Sequence, residues 1–75
     1  MTRQVTLSYD SDDDCWYAVN GTKRYVLHCG ETLEFLMGGQ MVPCRLEVSH
    51  DWYIITPEHR FVLHPQERYV VNEVV

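Results

Sequence analysis

Basic residues are scarce in this chain. Six Lys and Arg stand against eleven Asp and Glu, for a net charge of -5. Nucleic-acid binders draw much of their affinity from Lys and Arg that displace phosphate counterions, so this balance argues against such a partner. Cysteines are few and far apart. Cys15, Cys29 and Cys44 are odd in number and form no C-x-x-C. A small secreted disulfide scaffold uses an even, closer set, and structural zinc wants convergent local pairs. No apolar run approaches the roughly 18 residues of a membrane span, and "MTRQVTLSYD" has no apolar signal core. The expectation is a cytoplasmic protein with reduced thiols. Helical stripes are also missing. The nearest is Glu31 to Met37, too short to stand alone. There is no G-x-S-x-G, P-loop or dinucleotide fingerprint. No enzyme activity and no cofactor are expected.

What is present is a period of two. Val5, Leu7 and Tyr9 alternate with polar neighbours, as do Leu33, Phe35 and Met37, and Val42, Cys44, Leu46 and Val48. Successive strand side chains point to opposite faces, so each run offers one apolar face. Asn20-Gly21 and Gly38-Gly39 read as tight hairpin turns. Asp10 to Asp14, Ser49 to Asp51, Thr56-Pro57-Glu58 and His64-Pro65-Gln66 read as looser ones. Pro43 should lie at an edge or a bulge, because it cannot donate to a ladder. Seven or eight short strands result. The fold class is all-β: a small barrel or two packed antiparallel sheets, in one domain over residues 1–75.

An internal echo organises the rest. Trp16–Glu31, "WYAVNGTKRYVLHCGE", aligns with Trp52–Glu67, "WYIITPEHRFVLHPQE", at an offset of 36 residues, with seven of sixteen positions identical. Repeated units that cannot close a core alone pack against their twins. Two pseudo-symmetric halves of about 36 residues are expected, with Trp16, Trp52, Tyr25, Phe61, Leu27 and Leu63 inside. Alternation then turns Arg24, His28, Arg60 and His64 outward. They serve either as solvated strand residues or as a paired cleft for an anion or acidic partner, since Arg forks match carboxylate and phosphate.

The run Asp10 to Asp14 has EF-hand spacing at its start but lacks the glycine and glutamate such a loop needs. Asp12, Asp13 and Asp14 read as a solvated hairpin tip that discourages edge pairing, or as an acidic knob for a basic partner. His28-Cys29 and His59/His64 lack ligand spacing, so no metal site is expected.

Leu27, Gly30-Glu31, Leu33 to Leu36, Gly38-Gly39, Met41 to Glu47 and Trp52-Tyr53 carry a pattern that resembles a small uncharacterised family of Firmicutes and their phages, domain of unknown function 5348. Met41 stands where that pattern has an aromatic. The resemblance implies an SH3-like β-barrel and a mobile-element setting, and transfers no catalytic residue. The functional expectation is a non-enzymatic module that binds, and inhibits, a host defence protein with a basic surface. Alternatives are a binder of nucleotides or small anions using the Arg/His face, and a structural adaptor. A homodimer through a strand edge is a further option. No membrane partner is expected.

Overall fold

The computed structural model describes residues 2–74. Eight strands follow one another: β1 (Thr2–Asp10), β2 (Cys15–Asn20), β3 (Lys23–Val26), β4 (Thr32–Met37), β5 (Gln40–Val48), β6 (Trp52–Ile55), β7 (Arg60–Val62) and β8 (Tyr69–Val74). The described residues form no helix, so none is long and apolar enough to cross a membrane. All-β is therefore correct. The short stretch Glu31 to Met37 holds β4, whose Leu33 and Phe35 are buried while Leu36 is exposed.

The strands form one antiparallel sheet in the order β3-β2-β1-β8-β4-β5-β6-β7. This corrects the expectation of a closed small barrel or of two packed antiparallel sheets, while the all-β class holds. The SH3-like closure is not made, because β3 and β7 each pair on one side only and remain free edges. The sheet nonetheless curls. Phe35 on β4 and Tyr69 on β8 line the same groove as Phe61 on β7, although β5 and β6 separate β4 from β7. One face thereby becomes the interior. Val5, Leu7, Trp16, Ala18, Leu27, Leu33, Phe35, Cys44, Leu46, Ile54, Leu63 and Val71 form a single buried cluster.

The strand order has a pseudo-twofold built into it. β2, β3 and β4 map onto β6, β7 and β8 at the 36-residue offset, and β1 maps onto β5. The first half's last strand, β4, pairs with β5 of the second half, and β8 pairs with β1. Each half thus lends its fourth strand to the other. β4 and β8 meet in the middle, where Phe35 faces Val71, its own counterpart 36 residues on. The axis passes between them.

Local registers repeat accordingly. Tyr17 faces Val26 as Tyr53 faces Val62, and Ala18 faces Tyr25 as Ile54 faces Phe61. The Leu27 amide donates to the Trp16 carbonyl at 2.8 Å, and the Leu63 amide to the Trp52 carbonyl at 2.9 Å. After each hairpin a Glu amide closes a turn onto a His carbonyl: Glu31 to His28 at 3.3 Å and Glu67 to His64 at 2.9 Å. The identities of the echo therefore occupy equivalent backbone positions. They fix two like hairpins and their exit turns.

Turns follow the chemistry of their residues. Gly38 and Gly39 both take positive φ, at 57° and 81°, the type I′ arrangement that joins β4 to β5. The β2–β3 turn is shifted by one residue from Asn20-Gly21. Asn20 pairs with Lys23, and Gly21 takes φ 63° at the first central position, the sign pattern of type II′. Pro43 sits in an interior strand, against the edge expectation. Its half of β5 pairs with β4 alone, because the ladder to β6 starts at Arg45. On its unpaired side no ladder bond is lost, so the proline is tolerated.

Candidate functional site: an open groove beside a free edge

Near-equivalent halves allow each position to be judged against its counterpart. On the inner face of the first half, an ion pair covers the end beside Tyr25. Arg3 on β1 pairs with Glu73 on β8 at 2.6 Å, and its guanidinium lies 5.3 Å from the centre of the Tyr25 ring. The bond to Glu73 raises the Arg3 pKa further. On the opposite face Arg24 lies over the Tyr17 ring at 3.6 Å and donates to the Asp10 carboxylate at 2.7 Å. That guanidinium, with the Asp12 and Asp13 amides, holds the Asp10 carboxyl below its usual range.

The second half is open on both faces. Met37 stands where the first half has Glu73, and Phe61 stands where it has Tyr25. Among the described residues no ion pair covers them. Two adjoining grooves of about 430 and 470 Å³ share Met37 and Phe61. The first reaches under the β6–β7 turn to Val42, Thr56 and His59. The second runs along Phe35, Ile54, Leu63 and Tyr69, with Leu36 and Val62 at its mouth. Leu36 is 64% exposed, Val62 50% and Phe61 44%. These exposed apolar side chains border the groove and leave it open to solvent.

The wall of this groove is well held. The buried Thr56 hydroxyl accepts from the His59 amide at 2.9 Å and the Glu58 amide at 3.3 Å, which fixes the Pro57-Glu58 turn. The Tyr69 hydroxyl accepts from the His64 amide at 2.9 Å. Tyr69 in turn packs on Trp16 and Phe35, with ring centres 5.7 and 5.9 Å away. His59 and Phe61 lie tilted at 5.9 Å.

On the outer face Arg60 repeats Arg24. It lies over the Tyr53 ring at 3.8 Å. The carboxylate opposite Tyr53 belongs to Glu47, and Arg45 takes it at 2.5 Å. Among the described residues Arg60 has no carboxylate and no hydrogen-bond partner for its side chain.

Two indole nitrogens, Trp16 Nε1 and Trp52 Nε1, are buried without a partner. Both tryptophans therefore face inward, as expected. They differ in degree: Trp16 is fully buried between Tyr9 and Tyr69, and Trp52 is half-buried. Phe61 departs from the expected core and lines the groove instead.

The seven sequence-derived site residues separate. Arg24 and Arg60 lie on the two opposite edge strands, each over its own tyrosine. No hydrogen bond or ion pair among the described residues joins them. His28 and His64 are exposed at equivalent exit turns, and His64 borders the groove. The acidic tip is tied up in its own turn. The Tyr17 hydroxyl donates to Asp13 at 2.7 Å, the Tyr9 hydroxyl donates to Asp14, and Asp14 takes φ 51°. These bonds, more than burial, push both tyrosines up to about 12. Asp12 is exposed and contributes its amide to Asp10. Among the described residues no group of three His, Cys, Asp or Glu could hold a metal ion. The three cysteines are free, and burial pushes the Cys44 thiol up to about 11.

Sequence reading missed the groove because it treated Tyr25 and Phe61 as equivalent. The available signal was the change from Glu73 to Met37 at paired positions.

Comparison with known proteins adds the family. No curated protein and no solved structure matches the chain. A family model for a domain of unknown function (DUF5348) matches residues 5–72. That span runs from within β1 to within β8, so the match takes in residues of all eight strands and extends well beyond the motif around β4 to β6. The chain belongs to the DUF5348 family.

Proposed function

We propose that this protein is a non-enzymatic protein-binding module whose contact surface is the open second half. One observation carries the reading. Phe61, Leu36 and Val62 are exposed around a preformed apolar groove, while the matching end of the first half is covered by Arg3 and Glu73.

The cellular setting is part of the same proposal. A cytoplasmic, mobile-element protein of Firmicutes, SH3-like in kinship, would occupy a host defence protein. The net charge of -5 would steer it toward a basic surface. Asp12 remains the most available carboxylate of the acidic tip for such steering.

The test is affinity capture from a host lysate with the native chain, with Phe61→Glu and with Arg24→Gln. A protein retained by the native chain and Arg24→Gln, but lost with Phe61→Glu, supports the reading. Equal recovery on all three contradicts it.

A second reading has one observation in its favour: Arg60 lies on Tyr53 with no carboxylate. A nucleotide or small anion could stack and pair there. A thermal shift with nucleotides that Arg60→Ala abolishes would favour it.

A further inference from the structure

The backbone of β7 determines how a partner can approach. The Leu63 amide bonds to the Trp52 carbonyl, and the Thr56 amide to the His59 carbonyl. Antiparallel ladders alternate hydrogen-bonded and non-bonded pairs. Phe61, facing Ile54 between those two pairs, is therefore bonded inward to β6. Arg60 and Val62 face Ile55 and Tyr53 in non-bonded pairs, so their amides and carbonyls point out of the sheet. No described strand lies on that side. The side chains alternate the other way. Phe61 enters the groove, whereas Arg60 and Val62 alternate toward the outer face, with Val62 at the groove's rim.

We propose that β7 is a docking edge for an extended segment of a protein partner, with an apolar residue opposite Phe61 and a carboxylate opposite Arg60. This rests on the protein-binding reading above and specifies its chemistry. Strand addition draws affinity from main-chain hydrogen bonds and specificity from alternate side chains. Here Arg60 and Val62 supply two donors and two acceptors. The groove beside Phe61 takes the inward side chain. The outward neighbour meets Arg60, which Tyr53 stacking holds in place and which no described carboxylate neutralises. In antiparallel order the partner reads apolar opposite Val62, apolar opposite Phe61, then Asp or Glu opposite Arg60.

The other free edge lacks these features. On β3, Arg24 already has Asp10, and Tyr25 lies beneath Arg3. A second copy of this chain fits less well. Pairing β7 with itself sets Arg60 against Val62 and leaves the guanidinium without an anion. A three-residue strand also buries far less than the roughly 1,200 Å² of a stable interface.

The experiment is an NMR titration of isotope-labelled protein with two blocked peptides, Thr-Val-Leu-Glu-Thr and Thr-Val-Leu-Lys-Thr. The glutamate peptide is expected to shift the Arg60 and Val62 amides and the groove residues. The lysine peptide should bind roughly two- to fivefold more weakly, the range for an exposed ion pair. Arg60→Gln should abolish that preference, and Arg24→Gln should leave it. Val62→Pro, which removes an outward amide only, should end binding with the β6 ladder intact. Shifts on β3, no charge preference, no binding at about 1 mM peptide, or a concentration-dependent dimer through β7 would overturn the proposal. Should lysate capture still depend on Phe61 while both peptides fail, the strand-addition chemistry falls and the protein-binding reading stands.

Discussion

Truncating Phe61 to alanine should cost the fold far less than truncating Leu63, two residues away on the same inward face. Phe61 is 44% exposed and Leu63 is 4% exposed. Full burial of a phenylalanine side chain contributes about 1.5–3 kcal/mol. With little more than half of that realised, Phe61→Ala should cost about 1–1.5 kcal/mol. Leu63→Ala empties a packed site and should cost about 2–5 kcal/mol. A chain of 75 residues has about 4–11 kcal/mol in total. Urea unfolding resolves the two, since a slope near 1 kcal/mol per molar converts them to midpoint losses of about 1 M and about 3 M. Equal losses would refute the reasoning. They would show that Phe61 closes the core and that the groove is not spare apolar surface.

Further outcomes follow from individual contacts. Tyrosine absorbance should show two phenols ionising near pH 12, with Asp14→Asn lowering Tyr9 and Asp13→Asn lowering Tyr17. Because the folded pKa values lie above the unfolded 10.0, this stability is present below pH 10 and lost as pH rises toward 12. Asp10 has the opposite sign. Its folded pKa lies below 3.8, so its contribution is present above that value and lost as pH falls through the folded pKa; Asp10→Asn should flatten the acid limb of a stability curve. A thiol reagent near pH 8 should label exposed Cys29 in the native state and reach buried Cys44 only on unfolding. Gly39→Ala should destabilise by about 1 kcal/mol, because L side chains rarely adopt φ 81°, and Gly39→Asn should cost less, since Asn tolerates positive φ better.

The strands and the echo were legible in the sequence because they depend on local rules. Alternation at Val5, Leu7 and Tyr9, the Gly38-Gly39 turn, and the Trp-Tyr, Arg and Leu-His identities each report a backbone environment within a few residues. The exchange of β4 and β8 between halves was not legible. It is decided by long-range pairing, Phe35 against Val71, which no local pattern encodes. The paired cleft for Arg24 and Arg60 rests on alternation and on two halves facing each other about a twofold axis. With the sheet left open, those residues stand on opposite edges. The acidic tip was legible as a turn. Its hydrogen bonds to Tyr9 and Tyr17 were not, since they require the β1–β2 register that sets Tyr9 opposite Trp16 and Ser8 opposite Tyr17.

Amide hydrogen exchange of the isolated protein tests the open edge most directly. Arg60 and Val62 should exchange fast, while Phe61 and Leu63, bonded to β6, should be slowed by orders of magnitude. Equal protection across residues 60 to 63 would mean that β7 is already covered, and the second half would then offer no free strand to a partner.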